Sequence, residues 1–220
     1  MRRTALRVKE PDTTLSAELL RPDDAVAVLV LAHGAGADFQ HANMVAISEA
    51  FAAQQIATLR FNFPFMQQGR RRVDPQARSV ASIITAVAVA AEAAPDLPLF
   101  LGGHSYGGRM ASHAIGSGEL GVRGLIFCSF PLHPPKKPGV ERAAHLPEID
   151  LPMLFLSGTR DALAEGELLE DLVASLPLAR LHRLDTADHS YKILKRTRQS
   201  QQDVFAEMAE VAAGFVAATI

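Results

Sequence analysis

The stretch that most constrains how this chain can fold is an apolar run at 97–102 that leads directly into the pentapeptide Gly-His-Ser-Tyr-Gly at 103–107. A second apolar pattern follows from Met110 to Ile115, with the spacing of a buried helix face. Strand, tight turn and helix in this order form the context in which a serine is raised above the carboxyl edge of a sheet. The flanking glycines leave room for the turn. We therefore predict that Ser105 is displayed there, where a base can turn its hydroxyl into a nucleophile.

The composition is that of a folded globular protein. Hydrophobic residues make up 48% of the 220 residues and charged residues 21%, which is enough apolar material for a full core, and we expect a single domain over 1–220. The formal net charge of −2 gives no reason to expect nucleic acid or an anionic membrane as a partner. No apolar run near the start has the length of a signal peptide or a membrane span, so we expect a cytoplasmic protein.

Strand-like and helix-like segments alternate along the chain, and this alternation predicts the fold class. Two weak strands, at 6–8 and 15–20, are expected to form an antiparallel edge, and the continuous apolar run at 26–32 predicts a strand covered on both faces. Further strands are predicted at 57–63, 97–102, 124–130, 153–156 and 179–184, with amphipathic helices between and after them. The pattern favours an α/β fold, with a mostly parallel central sheet and helices on both faces.

Two segments have no helical or strand periodicity and are predicted as loops. The first is 65–75, and the second is the proline-rich connection 131–152. A connection of this length is too short to hold a folded cap domain, so we expect none over the site.

Residues with catalytic chemistry follow directly on predicted strands. Ligands of parallel sheets bind beyond the carboxyl ends of the strands. The side chains that reach this edge are His33, Ser105, Asp161 and His189. The sequence therefore predicts that they gather at one place.

A serine nucleophile needs a histidine base, and the base needs an acid that fixes its tautomer. Eight histidines are candidates, and His189 alone combines a loop after the last strand with the chain order serine, acid, histidine. Asp161 follows the strand at 153–156 and is the acid that we prefer. Asp185, nearer to the final strand, is the alternative.

The negative charge that develops on a carbonyl oxygen during acyl transfer must be held by two backbone N–H groups. Tyr106, directly after the nucleophile, is expected to supply one, and the small residues at 33–36 are expected to supply the other. The same glycines could cradle a phosphate, but no Lys-Ser/Thr pair follows them, and Phe39 stands where a dinucleotide-binding motif has its third glycine. An oxyanion loop is therefore the preferred interpretation.

Together these motifs resemble the α/β-hydrolase superfamily, in an element order that covers nearly the whole chain. The segments 60–64, 107–111 and 130–135 further resemble its small lidless branch, which is related to dienelactone hydrolase and includes the hydrolase-like subunit of an animal chromatin-modifying complex. The resemblance implies Ser105, Asp161 and His189 as the triad, with Ala35 and Tyr106 as oxyanion donors. Dienelactone hydrolase carries a cysteine nucleophile where this chain has Ser105, which argues against its particular substrate.

The expected activity is that of a serine hydrolase acting on small-molecule carboxylic esters through an acyl-enzyme, with no metal or organic cofactor. Thioesterases, peptidases and acyltransferases use the same machinery, and a binding or scaffolding protein could keep the fold without turnover. The sequence leaves the oligomeric state open. Since the 131–152 connection offers little material for a lid, we expect an open pocket for small acyl groups. Its predicted lining consists of Phe65, Met66, Leu132, His133 and Tyr191.

Three other features have structural interpretations. The single Cys128 excludes an internal disulfide, and its apolar neighbours predict a buried, inert thiol. The basic cluster Arg70–Arg72 is interpreted as a solvated loop. Arg109, early in the helix after the predicted turn, is expected to form a structural ion pair or hydrogen bond rather than to hold substrate.

Overall fold

A computed structural model describes residues 1–220, and its elements follow the predicted alternation. The strands are β1 (Arg2–Lys9), β2 (Thr14–Arg21), β3 (Ala27–Ala32), β4 (Ile56–Phe61), β5 (Leu99–His104), β6 (Val122–Cys128), β7 (Met153–Gly158) and β8 (Ala179–Leu184). The helices are α1 (Ala42–Ala53), α2 (Pro64–Gln67), α3 (Gln76–Ala93), α4 (Tyr106–Ile115), α5 (Gly166–Ala174) and α6 (Val204–Ala217). No helix combines the length and the apolar character that spanning a bilayer requires.

All eight strands belong to one sheet, in the order β1-β2-β4-β3-β5-β6-β7-β8. The first two strands pair antiparallel with each other, and β2 pairs antiparallel with β4. Every other pair is parallel. The predicted antiparallel edge and mostly parallel sheet are both confirmed.

Helices cover both faces of this sheet. On one face, α3, α4 and α5 bury the larger hydrophobic core, to which Ile83, Met110 and Leu169 belong. On the other face, α1 and α6 cover a second core that includes Phe51 and the single cysteine, Cys128. All six residues of β3 are buried, as expected for a strand between two helical layers.

The two predicted loops differ in outcome. The connection at 131–152 contains only two short 3₁₀ turns, at Glu141–Ala143 and Leu146–Glu148, so it forms no cap domain. The segment at 65–75 was predicted to be irregular throughout, and this is wrong for its first residues, which lie in α2. Pro64 occupies the first turn of that helix, where its fixed φ favours helix and its missing N–H costs nothing, and Gly69, at φ 68°, follows its end.

Because β5 and β6 pack closely, we expect a side chain added between them to lower the stability of the fold. A Cβ atom added at Gly102 would lie 1.9 Å from the carbonyl oxygen of Ile126 on β6, so Gly102→Ala must push the two strands apart. We expect it to lower the free energy of unfolding by about 3 kcal/mol or more in urea titrations. Gly214→Ala is the matched control, because nothing lies within 4 Å of the added atom, and in α6 alanine should stabilise by up to about 1 kcal/mol. Equal stabilities for the two variants would contradict this strand pairing.

Candidate active site

The turn between β5 and α4 holds Ser105 in a conformation that non-glycine residues seldom adopt, with φ 52° and ψ −115°. Its backbone N–H donates to the Cys128 carbonyl at 2.9 Å, which ties the turn to the end of β6. Gly103 and Gly107 allow the close packing around it, since a Cβ on either would lie 2.4 Å or less from the carbonyl oxygen of Ala32. The surrounding sheet therefore sustains the strained backbone that displays the hydroxyl.

Three side chains from distant parts of the sequence meet above this turn. The Nε2 atom of His189 lies 2.8 Å from Ser105 Oγ. The Nδ1 atom of the same ring lies 2.8 Å and 2.9 Å from the two carboxylate oxygens of Asp161. In the tautomer that this geometry favours, Nδ1–H donates to the carboxylate and Nε2 accepts from the serine hydroxyl. The ring is then oriented to take the hydroxyl proton.

The two aspartates that the sequence left as alternatives have different surroundings. The Asp161 side chain is fully buried, and its Oδ1 also accepts from the backbone N–H of Leu163 at 2.9 Å. The Asp185 carboxylate instead accepts from the Gln199 N–H at 2.7 Å, in the loop that leads to α6. The structure therefore brings Asp161, and not Asp185, to the ring of His189.

The loop after β3 approaches Ser105 from the other side, and a buried histidine fixes its shape. His33 Nδ1–H donates to the Gly34 carbonyl at 2.8 Å, while Nε2 accepts from the Phe63 N–H at 3.0 Å. Ala35, two residues further, is exposed at the cavity beside Ser105. Tyr106 is the first residue of α4, where backbone N–H groups have no intrahelical acceptor. The two residues predicted to supply the oxyanion N–H groups, Ala35 and Tyr106, thus both lie beside Ser105.

Two hydrogen bonds from the cavity walls hold the loop that carries His189. The ring of His104 donates from Nε2 to the backbone carbonyl of His189 at 3.0 Å, and the two rings lie 5.4 Å apart. Asn43, at the start of α1, donates from Nδ2 to the Ser190 carbonyl at 2.9 Å. His189 is therefore positioned through its backbone as well as through Asp161.

A cavity of about 330 Å³ opens over Ser105. Its walls come from the loop after β3, the start of α1, the turn before α4 and the loops after β7 and β8. The lining residues are Gly34, Ala35, Gly36, Ala37, His41, Asn43, Met44, His104, Ser105, Leu163, His189 and Ser190.

None of the five residues predicted to line the pocket is among them. Phe65, Leu132 and His133 are fully buried, Tyr191 is 3% exposed, and Met66 is half-buried on α2. Phe65 stacks on Phe63 and meets Tyr106 edge-on, so its ring belongs to the core rather than to the cavity. The prediction is wrong because it assigned these side chains to the pocket. Packing between the elements of the fold leaves little of their surface free to face the cavity.

Sequence reasoning missed the part of the lining that comes from the start of α1. His41 directly precedes this helix and Asn43 and Met44 lie in its first turn, only a few residues after the loop that follows β3. That proximity was a usable signal, because a helix entered directly from an active-site loop starts at the same sheet edge. Leu163 and Ser190 are each two residues or fewer from Asp161 and His189, and their positions in the chain gave the same signal.

The buried histidines make stability depend on pH. Burial lowers the pKa of His33 to about 4 and the pKa of His104 to about 4, below the ordinary value of 6.5. Because the unfolded chain binds these protons more readily, their contribution to stability is complete above pH 6.5 and is lost as the pH falls toward 4. From the fully buried His33 alone we expect a loss of about 2 kcal/mol between pH 7.5 and pH 5. Urea titrations across this range test it, and an unchanged free energy of unfolding would contradict it.

This chain matches the model of one protein family and is similar in fold to several solved structures. The model of a family described as an alpha/beta hydrolase domain matches residues 25–217. Dienelactone hydrolase from Anabaena variabilis is 17% identical, with a TM-score of 0.77 over 100% of this chain and 98% of its own. XC6422 from Xanthomonas campestris, a serine hydrolase without a lid, is 17% identical, with a TM-score of 0.75 over 98% and 94%. Est1E from Butyrivibrio proteoclasticus, solved with ferulic acid, is 16% identical, with a TM-score of 0.75 over 98% and 99%.

Proposed function

Given that this chain belongs to the α/β-hydrolase family, we propose that it is a serine hydrolase that cleaves carboxylic esters with small acyl groups. The observation that carries this proposal is the continuous hydrogen-bonded chain from Ser105 Oγ through His189 to Asp161, with each contact at 2.8 to 2.9 Å. Ser105 and His189 line an open cavity, where an ester can reach the hydroxyl, and Asp161 is buried behind them.

The proposed reaction proceeds in two halves. His189 removes the proton of Ser105 as the hydroxyl oxygen attacks the ester carbonyl, and the resulting oxyanion is held by the N–H groups of Ala35 and Tyr106. Collapse of this tetrahedral intermediate breaks the bond to the leaving alcohol, which takes the proton from His189, and leaves an acyl-enzyme on Ser105. Water, deprotonated by His189, then releases the acid and restores the serine. Asp161 stabilises the imidazolium that forms twice in each turnover.

Covalent labelling tests the proposal directly. A fluorophosphonate should modify the wild-type protein on Ser105, as located by mass spectrometry, and 4-nitrophenyl butyrate should both be hydrolysed and slow the labelling. A thioester or an anilide with the same acyl group then ranks the competing substrate classes. Absence of both labelling and hydrolysis would contradict the proposal and favour a binding protein that keeps the fold.

The small cavity leads to a prediction about acyl length. Each buried methylene contributes about 0.8 kcal/mol until the apolar wall ends, and the apolar side chains here are few, chiefly Met44, Leu163 and two alanines. We expect kcat/KM for 4-nitrophenyl esters to peak between about acetate and hexanoate and then to fall. A steady rise to palmitate, or a jump in activity when the substrate forms micelles, would contradict the open, lidless site.

A further inference from the structure

Arg109 has no partner, contrary to the structural role expected from the sequence. It lies one helical turn after Ser105, and its backbone N–H donates to the Ser105 carbonyl at 3.1 Å. Its guanidinium takes part in no ion pair, and its half-buried side chain leaves Nε buried without an acceptor. The Nε–H donor is thus removed from water without an acceptor, and an unpaired buried donor costs free energy. An arginine with a purely structural role normally donates to a carboxylate or a carbonyl oxygen.

A second arginine and three histidines lie near it, on α4 and on the 131–152 connection, and no carboxylate forms an ion pair with any of them. Arg142, on the 131–152 connection, donates to the His133 carbonyl at 3.0 Å. His145 stacks on His113 of α4, with ring centroids 3.7 Å apart. We call Arg109, His113, His133, Arg142 and His145 the cationic cluster. None of its members forms an ion pair, although Glu141 and Glu148 lie nearby on the same connection.

The electrostatics of the cluster agree with its geometry. Burial, followed by the positive charge of Arg109, lowers the pKa of Arg142. Burial, followed by the neighbouring His113 and then Arg109, lowers the pKa of His145 to about 4. The fully buried His133 donates from Nδ1 to the Pro134 carbonyl at 2.9 Å, and its Nε2 is buried without a partner. Arg109 and Arg142 are thus close enough to repel each other and neither is paired with a protein carboxylate, a repulsion that an anion bound from outside would relieve.

Resting on the proposed function, we propose that Arg109 and Arg142 bind a negatively charged group of the substrate, a carboxylate or a phosphate. Guanidinium groups are suited to these groups because their planar fork matches two oxygen atoms at once. No member of the cluster lines the cavity over Ser105, but the cluster adjoins it. Arg109 lies one helical turn after Ser105, and the backbone N–H of His133 donates at 3.3 Å to the carbonyl of Leu163, a residue of the cavity wall. The substrate would therefore be an ester whose charged end lies several ångströms from the bond that is cleaved.

Binding of simple anions tests the cluster without any need for turnover. Glutarate and inorganic phosphate are titrated into the wild-type protein by calorimetry, at constant ionic strength. We expect Arg109→Gln and Arg142→Gln each to weaken binding of the preferred anion at least tenfold, and Arg109→Lys to weaken it less, because the charge is kept and the fork is lost. Arg123→Gln, an exposed arginine on β6, is the matched control and should bind like the wild type. Equal affinity in all variants, or no measurable binding of either anion to the wild type, would overturn the proposal.

A pair of esters connects the cluster to the catalytic serine. Mono-4-nitrophenyl glutarate and 4-nitrophenyl pentanoate share an acyl length and differ by one terminal carboxylate. We expect the wild type to prefer the charged ester, and Arg109→Gln to reduce that preference at least tenfold. If phosphate rather than glutarate is the tighter ligand, the natural charge is assigned to a phosphate, and phosphate should inhibit pentanoate hydrolysis competitively.

The outcomes separate this inference from the proposed function. Hydrolysis of the neutral ester, with neither a preference for the charged one nor anion binding, overturns the anion site alone. Anion binding that depends on both arginines, without hydrolysis of any ester or labelling of Ser105, overturns the hydrolase and leaves the anion site supported.

Discussion

Replacing Ser105 with alanine is expected to lower kcat for 4-nitrophenyl butyrate by a factor on the order of 10⁵ to 10⁶, because the proposed nucleophile is removed. His189→Ala should lower kcat by about the same factor, because the serine hydroxyl attacks the ester only when the histidine removes its proton. The double variant should then be no slower than either single one. Initial rates above the uncatalysed background measure all three.

Two results would contradict this expectation. If the losses of the single variants multiply in the double variant, Ser105 and His189 act independently, and the hydrogen bond between them has no catalytic role. If Ser105→Ala keeps a tenth of the activity, another group attacks the ester. Ser117→Ala removes an exposed hydroxyl beyond the end of α4 and should leave kcat unchanged. Urea titrations of each variant show whether a lost activity is merely a lost fold.

Asp161→Asn is expected to lower kcat by about 10⁴-fold with the fold intact. An amide at this position can present N–H groups to His189 Nδ1, which favours the tautomer protonated on Nε2. That tautomer cannot accept the proton of Ser105, although the ring keeps its place. Rates measured as a function of pH test this, because hydroxide can partly replace the missing base at high pH.

Asp185→Asn is the matched control for this experiment. Its carboxylate contacts the Gln199 N–H and not the His189 ring, so kcat should stay within about twofold of the wild type. If Asp185→Asn is the crippling change and Asp161→Asn is mild, the assignment of the acid is wrong.

The fold could be predicted because its signals are local. The apolar run that became β3 carries no alternation, and the run before Ser105 ends in the glycines that a tight turn requires. Once alternating strands and helices indicate a parallel sheet, chain order alone brings the strand ends to one edge. Residues as far apart as Ser105 and His189 could therefore be predicted to lie together, and the resemblance to the α/β-hydrolase superfamily is confirmed.

The details of the site depend on contacts that no local pattern encodes. Asp161 and Asp185 both follow strands, and only the three-dimensional path of the last loop turns one of them toward His189. The pocket lining was wrong for a related reason: Phe65 has the chemistry of a pocket wall, but its ring is used by the core. Asn43 contacts Ser190 across a sequence separation of 147 positions, at which spacing carries no information. The missing partner of Arg109 is likewise a property of its surroundings.

The buried thiol of Cys128 can report local opening of the helices that cover it. Its carbonyl anchors the turn of Ser105, its side chain lies in the core beneath α1 and α6, and burial raises the pKa of the thiol to about 12. Because the thiolate is the reactive form, a thiol reagent can attack only molecules in which those helices have moved away from the sheet. The rate of thiol modification in native buffer therefore measures how often α1 and α6 open away from the sheet next to Ser105. No engineered label is needed.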